Sequence, residues 1–287
     1  MIMKKFLNDY ANVHKDETIY LIGSGPEILN ISAKYRDKIK EGTSIAVNSH
    51  HLFIENPTYH CSGHWSHYLL NCEHSNPTGC RFFQGKRPEK GVWFDSILGI
   101  YTKTRMGGEI MSPHSFDRSF YDQNNTVDIS SNIRPDHGFV FVENGEADKL
   151  FDEVNSDSPM FGSDNIAFTA THLACIMGAK KIVYIGFDHR SRHHYYESVH
   201  LLPTLENQIK SLYSKYQSDG FLKKDIQHLW DMVKKVRSPD YLKFVKYHKV
   251  KLEKMFNCMH KNNVTPVVHN KNSIVFDAGA KLIDYDD

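Results

Sequence analysis

The chain has 287 residues, of which 40% are hydrophobic and 24% are charged, so it is long enough for one large domain or two small ones. The longest apolar runs fall well short of the roughly 18 residues of a membrane span, and the first ten residues do not resemble a secretory signal. Its five cysteines are odd in number and unevenly spread, which favours a reduced, cytoplasmic protein.

A net charge of +1 conceals a marked asymmetry along the chain. From Lys210 to Lys261 there are 13 Lys and Arg against 5 Asp and Glu, which gives +8. The rest of the chain then has 22 against 29, which gives −7. This basic block indicates a polyanionic partner or an anionic substrate, or else a set of ordinary solvated helix faces.

The first strong structural signal is the run Thr18–Ile22, which leads directly into Gly23-Ser24-Gly25-Pro26. Unbroken apolar runs are typical of buried parallel strands. The glycines and proline then predict a tight turn and a helix from about 27 to 40. Such a turn can present amides and a helix end to a phosphate, although a plain tight connection has the same pattern.

Further strands are predicted at 44–47 and 58–63, ending near Asn48 and near Ser62-Gly63. Strands that alternate with helices indicate a doubly wound sheet, in which ligands bind at the carboxyl ends of the strands. The middle of the chain, 64–160, is less regular, with short strands predicted at 79–83, 92–94 and 138–142.

Regularity returns with a helix over 165–177, capped by Ser163 or Asp164, and a strand over 181–185. That strand ends in Gly186-Phe187-Asp188, and a stretch rich in His, Arg and Tyr follows. Loops at such strand ends carry chemistry in α/β proteins. Helices are predicted over 204–217, 221–236 and 240–261, and a last strand over 265–268.

The predicted fold class is therefore α/β, with a Rossmann-like, mostly parallel, doubly wound sheet. We expect a single domain over 1–287 of the GT-A-like type. A helical, basic insertion or lid subdomain is expected at about 200–262.

The ordered motifs resemble those of the bacterial CMP-sialic-acid-dependent sialyltransferases and of the 6-hydroxymethylpterin-diphosphokinase-like proteins of bacteria and phages. Gly23-Ser24-Gly25-Pro26 is similar to their Gly-x-Gly-Pro-Ser opening, and Asn48 stands where the sialyltransferases bind the nucleotide. The stretch 165–188 resembles their helix–strand–Gly-x-Asp core, and 269–273 resembles their closing Asn-Ser motif.

This resemblance implies transfer of a sugar from a CMP- or UDP-sugar to an acceptor hydroxyl of a glycan or of a modified base in DNA. It also implies a homo-oligomer, with no required cofactor and with a divalent metal left open. The expected nucleotide-binding residues are Gly23, Ser24, Gly25, Pro26, Asn48, Ser62, Gly63, Ser163, Asp164, Asn165, Asn270, Asn272 and Ser273.

Sugar transfer needs a base for the acceptor hydroxyl and positive or hydroxyl groups for the leaving phosphate. The resemblance places Arg190 and Tyr196 where the family holds the phosphate, and His248 close to the spacing of the family's base. Asp188 is expected to bind a metal, ribose or acceptor hydroxyl, or to brace its loop. The candidate catalytic residues are His248, His194, His193, Asp188, Arg190 and Tyr196.

Two alternatives remain open at the level of sequence. One is an ATP-dependent diphosphokinase that acts on a pterin-like alcohol, with magnesium held by carboxylates such as Asp188. The other is a non-catalytic zinc-binding or nucleic-acid-binding protein. Its zinc ligands would come from a cluster whose spacing matches no standard pattern, namely Cys61, His64, His67, Cys72, His74 and Cys80.

Overall fold

A computed structural model describes most of the sheet and its surrounding helices. The described residues are 10–62, 65–74, 81–84, 139–142, 144–145, 160–161, 166–187, 194–198, 200–217, 220–234 and 241–284. Several predicted features lie outside these ranges, namely the strand at 92–94, Gly63, His64, Cys80, 162–165 and 188–193.

Eight strands form one sheet in which every pairing between described strands is parallel. The strands are β1 (Thr18–Ile22), β2 (Thr43–Val47), β3 (Tyr59–Ser62), β4 (Arg81–Gln84), β5 (Phe139–Val142), β8 (Lys181–Ile185), β9 (Thr265–Val268) and β10 (Lys281–Leu282). Their order across the sheet is β10-β9-β8-β1-β2-β3-β4-β5. Two short strands, β6 (Asn144–Gly145) and β7 (Met160–Phe161), pair separately.

Helices separate most of these strands, as the sequence predicted. They are α1 (Ala33–Glu41), α2 (Trp65–His74), α3 (Ile166–Ile176), α4 (Leu202–Lys215), α5 (Gly220–Lys234), α6 (Tyr241–Lys261) and α7 (Ile274–Asp277). The α/β, Rossmann-like fold class is confirmed, and so are the three helices of the basic block, with ends shifted by one or two residues. Among the described helices, none combines the length and the apolar character needed to cross a bilayer.

The predicted continuous helix over 27–40 is wrong. The turn leads instead into a 3-10 helix at Pro26–Asn30, and the chain is extended at Ile31 and Ser32 before α1 begins. The Ser32 Oγ caps α1 by accepting a hydrogen bond from the amide of Tyr35 at 3.2 Å. Serine in this position favours a new helix start over continuation, because its side chain satisfies an amide that a helix interior would bond itself.

Hydrophobic clusters cover both faces of the sheet, and neighbouring residues of a strand contribute to opposite clusters. In β1, Leu21 packs in one cluster with α3 and α6, whereas Tyr20 and Ile22 pack in the other with α1 and α4. Since side chains alternate along a strand, burial on both faces requires an apolar residue at nearly every position. This double burial explains the unbroken apolar run that the sequence shows.

Burial of His172 within α3 makes the stability of the fold depend on pH. Its side chain is 1% exposed, and desolvation lowers its pKa to about 4 from an ordinary value near 6.5. The neutral ring is therefore favoured in the folded state. Its contribution to stability is complete above pH 6.5 and is lost as the pH falls toward 4.

We expect the free energy of unfolding in urea to drop between pH 7 and pH 4, with up to about 3 kcal/mol due to His172. The His172→Gln variant should show a smaller drop, because the titrating group is gone. His260→Gln, at an exposed position on α6, is the matched control and should keep the parent's pH dependence. An unchanged pH dependence in His172→Gln would contradict this account.

Candidate functional site

The strand order reverses between β1 and β8, and we call the region outside their carboxyl ends the crevice, the name used for this position in open α/β sheets. From β1 the chain proceeds to β2 on one side, and it returns later to place β8 on the other side. In open α/β sheets, ligands bind at such a reversal of strand order, outside the carboxyl ends of the strands. Gly23 follows β1 and Gly186 follows β8 directly at this point. The crevice is therefore the candidate position for a ligand site.

The two strand ends are in close contact at Gly23 and Gly186. The amide of Gly23 donates to the carbonyl of Ile185, and that of Gly25 donates to the carbonyl of Gly186, both at 2.7 Å. A Cβ on Gly23 would lie 2.4 Å from the Gly186 carbonyl oxygen. These glycines are required by the close approach of two backbones. Of the two possibilities left open by the sequence, these two amides fit the tight connection and not the phosphate site, because they are bonded within the fold.

Glu27, which follows β1, is hydrogen-bonded to the segments that follow β8 and β9. Its Oε1 accepts hydrogen bonds from the amides of Gly186 at 2.9 Å and Phe187 at 3.2 Å. Its Oε2 accepts a short hydrogen bond from the side-chain Nδ2 of Asn270, just beyond β9. The carboxylate therefore sits where the turn after β8 presents its amides. Glu27 is not among the residues predicted for the site, although an acidic residue in the first helical turn after a glycine turn is a recognisable signal.

The 3-10 helix Tyr195–Glu197 is anchored to the rim of the crevice. The amide of Tyr195 donates to the carbonyl of Ser24 at 2.8 Å, and its hydroxyl donates to the carbonyl of Ser49 at 3.3 Å. The Tyr195 side chain is fully buried. These contacts bring the segment after β8 to the turns that follow β1 and β2, so His194 lies at the edge of the same crevice.

His194 is held by a carboxylate and an aromatic ring. Its Nδ1 lies 2.6 Å from the Oε1 of Glu197, which also accepts from the His194 amide at 3.0 Å. The imidazole stacks on the ring of Tyr196 with 4.8 Å between centroids and 9° between planes. With Nδ1 donating to the carboxylate, the acceptor lone pair of a neutral ring is on Nε2. Glu197 was missed, although its place three residues after a capping position is recognisable.

The turn after β2 is braced by buried polar side chains. Asn48 has a left-handed backbone with φ of 51°, and its carbonyl accepts from the Nδ2 of Asn71 at 2.6 Å and from the Nε2 of His60 at 3.1 Å. Beside it, the Ser49 hydroxyl and the Nδ1 of His67 are 2.7 Å apart. Asn48 is therefore presented at the rim by a rigid support, to which α2 contributes two side chains.

Three members of the cluster considered for zinc have described side chains, and each has different surroundings. Cys61 is fully buried in β3, and burial raises the pKa of its thiol far above the ordinary value. His67 is bonded to Ser49, and His74 stacks on His51 at 5.3 Å between ring centroids. Within the described ranges, no three His, Cys, Asp or Glu side chains are grouped so that they could hold a metal ion.

The structure separates the two histidines considered as general base. His248 lies on α6, 1% exposed, with its ring 5.6 Å from that of Phe168 on α3. Phe168 belongs to the hydrophobic cluster on one face of the sheet, whereas Tyr195 and Tyr196 belong to the cluster on the other. His194 and His248 therefore belong to opposite sides of the sheet.

The closing segment after β9 also reaches the crevice. Asn270 bonds Glu27, and its Oδ1 accepts from the amide of Asn272 at 2.8 Å. Ser273 is buried and caps α7 by accepting from the amide of Phe276 at 3.1 Å. Ser62 is the buried last residue of β3. The other predicted site residues lie outside the described ranges, namely Gly63, Ser163, Asp164, Asn165, Asp188, Arg190 and His193.

Comparison with known proteins assigns no family to this chain. No family model matches the chain, and no curated protein matches it. A solved structure, the sialyltransferase CstII from Campylobacter jejuni in complex with a substrate analogue, cytidine-5'-monophosphate, aligns over 94% of this chain and 86% of its own. The sequence identity is 9% and the TM-score is 0.41, and at these values the likeness assigns no activity to this chain.

Replacing Gly23 should disrupt the contact between β1 and β8. We expect Gly23→Ala to lower the free energy of unfolding by about 2 kcal/mol or more, because the new methyl group overlaps the Gly186 carbonyl. Gly279→Ala is the control, since a Cβ there meets nothing within 4 Å and bears only the strain of φ 104°, about 1 kcal/mol. Urea unfolding monitored by circular dichroism gives both values. Equal losses would show that the close approach is not the constraint.

Removing the Glu27 carboxylate should loosen the crevice. In Glu27→Ala the amides of Gly186 and Phe187 lose their acceptor, and we expect a loss of about 2 kcal/mol. Amide hydrogen exchange at these two residues should accelerate. Glu41→Ala, at the exposed end of α1, should change stability by no more than about 0.5 kcal/mol. Slow exchange in the Glu27→Ala variant would rule out this bracing role.

Proposed function

We propose that the chain is a glycosyltransferase that uses a nucleotide-sugar, with a CMP- or UDP-sugar as the donor suggested by the motifs. The observation that carries the proposal is the His194–Glu197 pair, anchored by Tyr195 at the crevice where the strand order reverses. A histidine oriented by a carboxylate is a suitable base at neutral pH. Its position at the usual ligand site of such sheets supports a catalytic role over a purely structural one.

In this proposal His194 removes the proton from the acceptor hydroxyl. The acceptor oxygen forms a bond to the anomeric carbon of the donor sugar, while the bond from that carbon to the phosphate oxygen breaks. The hydroxyl proton passes to Nε2 of His194, and the electron pair of the broken bond leaves with the nucleotide. Glu197 holds the ring by Nδ1 and stabilises the imidazolium that forms.

Some of the other predicted residues are proposed to bind the donor or to support the base. Arg190 is proposed to pair with the leaving phosphate, because a guanidinium binds phosphate oxygens with two parallel hydrogen bonds. Tyr196 is 3% exposed and lies under the His194 ring, so in this proposal it also supports the base. Ser24, Asn48 and Asn270 are proposed to line the nucleotide side of the crevice.

A panel of ligands tests the donor. At about 100 times its dissociation constant, a bound nucleotide-sugar stabilises the fold by about 2.7 kcal/mol, which a thermal shift readily detects. We expect CMP- or UDP-sugars to stabilise the protein without added metal. Stabilisation by ATP and magnesium alone, with ATP consumed in the presence of a pterin-like alcohol, would favour the diphosphokinase instead. If nothing in the panel binds, the proposal fails.

Once a donor is found, kinetics test the base. We expect His194→Gly to lower kcat by about 10²- to 10⁴-fold with little change in KM, and added imidazole to restore part of it. Glu197→Gln should lower kcat less, and Glu197→Asp should recover part of that loss. His260→Gln is the surface control. Turnover that survives in His194→Gly but is lost in His248→Gln would move the role of base to His248.

A further inference from the structure

Helix α6 has an unusually one-sided charge. Its 21 residues include six lysines and a single carboxylate, Glu253, for a net charge of +5 before any histidine is counted. That carboxylate lies 3.5 Å from Lys249, four residues before it. Such a concentration of like charge favours a polyanionic partner.

The exposed residues of α6 form one continuous stripe. Leu252, Met255 and Phe256 bury the opposite face against the core. Six exposed positions recur at helical spacing within about 100° of one another around the axis, and the exposed His260 lies about 40° beyond their edge. We call this surface the basic stripe, and it consists of Lys246, Tyr247, Val250, Lys254, Asn257 and Lys261. It is about 22 Å long.

An aromatic ring lies among these charges. Tyr247 is 49% exposed, which is unusual for so large an apolar group, and the Nζ of Lys251 lies 4.2 Å from its ring centroid. Lysines alternating with an exposed aromatic ring match single-stranded nucleic acid, whose phosphates pair with the ammonium groups while a base stacks on the ring. A lipid surface fits less well, because the apolar face that would enter the membrane is buried in the core.

We propose that the basic stripe of α6 binds single-stranded nucleic acid. Lys246, Lys254 and Lys261 contact phosphates along the strand, and Tyr247 stacks with one base. Binding here does not depend on the transferase reaction, so the stripe can be tested with the apoprotein and no sugar donor. Should both hold, the bound strand would carry the acceptor to the enzyme.

Fluorescence anisotropy with a labelled oligothymidine, measured across a range of salt concentrations, tests the proposal. Replacement of Lys246, Lys254 and Lys261 by Gln should weaken binding and reduce the slope of log affinity against log salt by about two. The matched control replaces Lys34, Lys38 and Lys40 by Gln. It removes the same charge from exposed positions on α1, which packs in the hydrophobic cluster on the other face of the sheet from α6, and it should keep the parent's slope.

Tyr247→Leu separates stacking from charge. We expect about tenfold weaker binding with an unchanged salt slope, because the phosphate contacts remain. Circular dichroism confirms that each variant is folded. The proposal is overturned if the two triple variants lose affinity equally, or if oligothymidine does not bind. Binding of phosphatidylserine vesicles in place of the oligonucleotide would also overturn it.

Discussion

The close contact between the ends of β1 and β8 is the constraint on which the rest of the site depends. Gly23 and Gly186 bring two backbones so near that no side chain fits between them, and two hydrogen bonds of 2.7 Å lock the turns together. This contact lies where the strand order reverses, so it also fixes the floor of the crevice. The glycine turn has a structural task first, and any ligand must bind above a floor whose amides are already in use.

Polar groups around this floor are supported by partners from distant parts of the chain. Glu27 accepts hydrogen bonds from the amides after β8 and from the side chain of Asn270 after β9. Asn71 and His60 donate hydrogen bonds to the carbonyl of Asn48. Buried polar groups that lack partners destabilise a fold by about 1–3 kcal/mol each, so such networks tend to be rigid when they are complete. A rigid rim suits a site that must hold a donor and a base in fixed geometry.

The two proposed functional surfaces differ in how they arise. The His194–Glu197 pair joins two residues three positions apart, and Tyr195 between them anchors the pair to Ser24 and Ser49. The basic stripe is a property of one helix, because the buried half of α6 forces its lysines and Tyr247 to the other side. Charge patterning along the chain already indicated the second surface, whereas only the packing of the segment at 194–197 indicated the first.

The sequence by itself determined the strands β1, β8 and β9, the helices of the basic block and the α/β class. These follow from local patterns, since a strand buried on both faces must be apolar throughout and an amphipathic helix repeats every 3.6 residues. It could not determine that Ser32 begins a new helix, that the glycine amides are bonded internally, or that Glu27 reaches Gly186 and Asn270. The Ser32 cap is a local contact, but the glycine and Glu27 contacts join residues more than 150 positions apart. Only the tertiary structure therefore decided which candidates meet at the crevice and that His194 and His248 belong to opposite faces of the sheet.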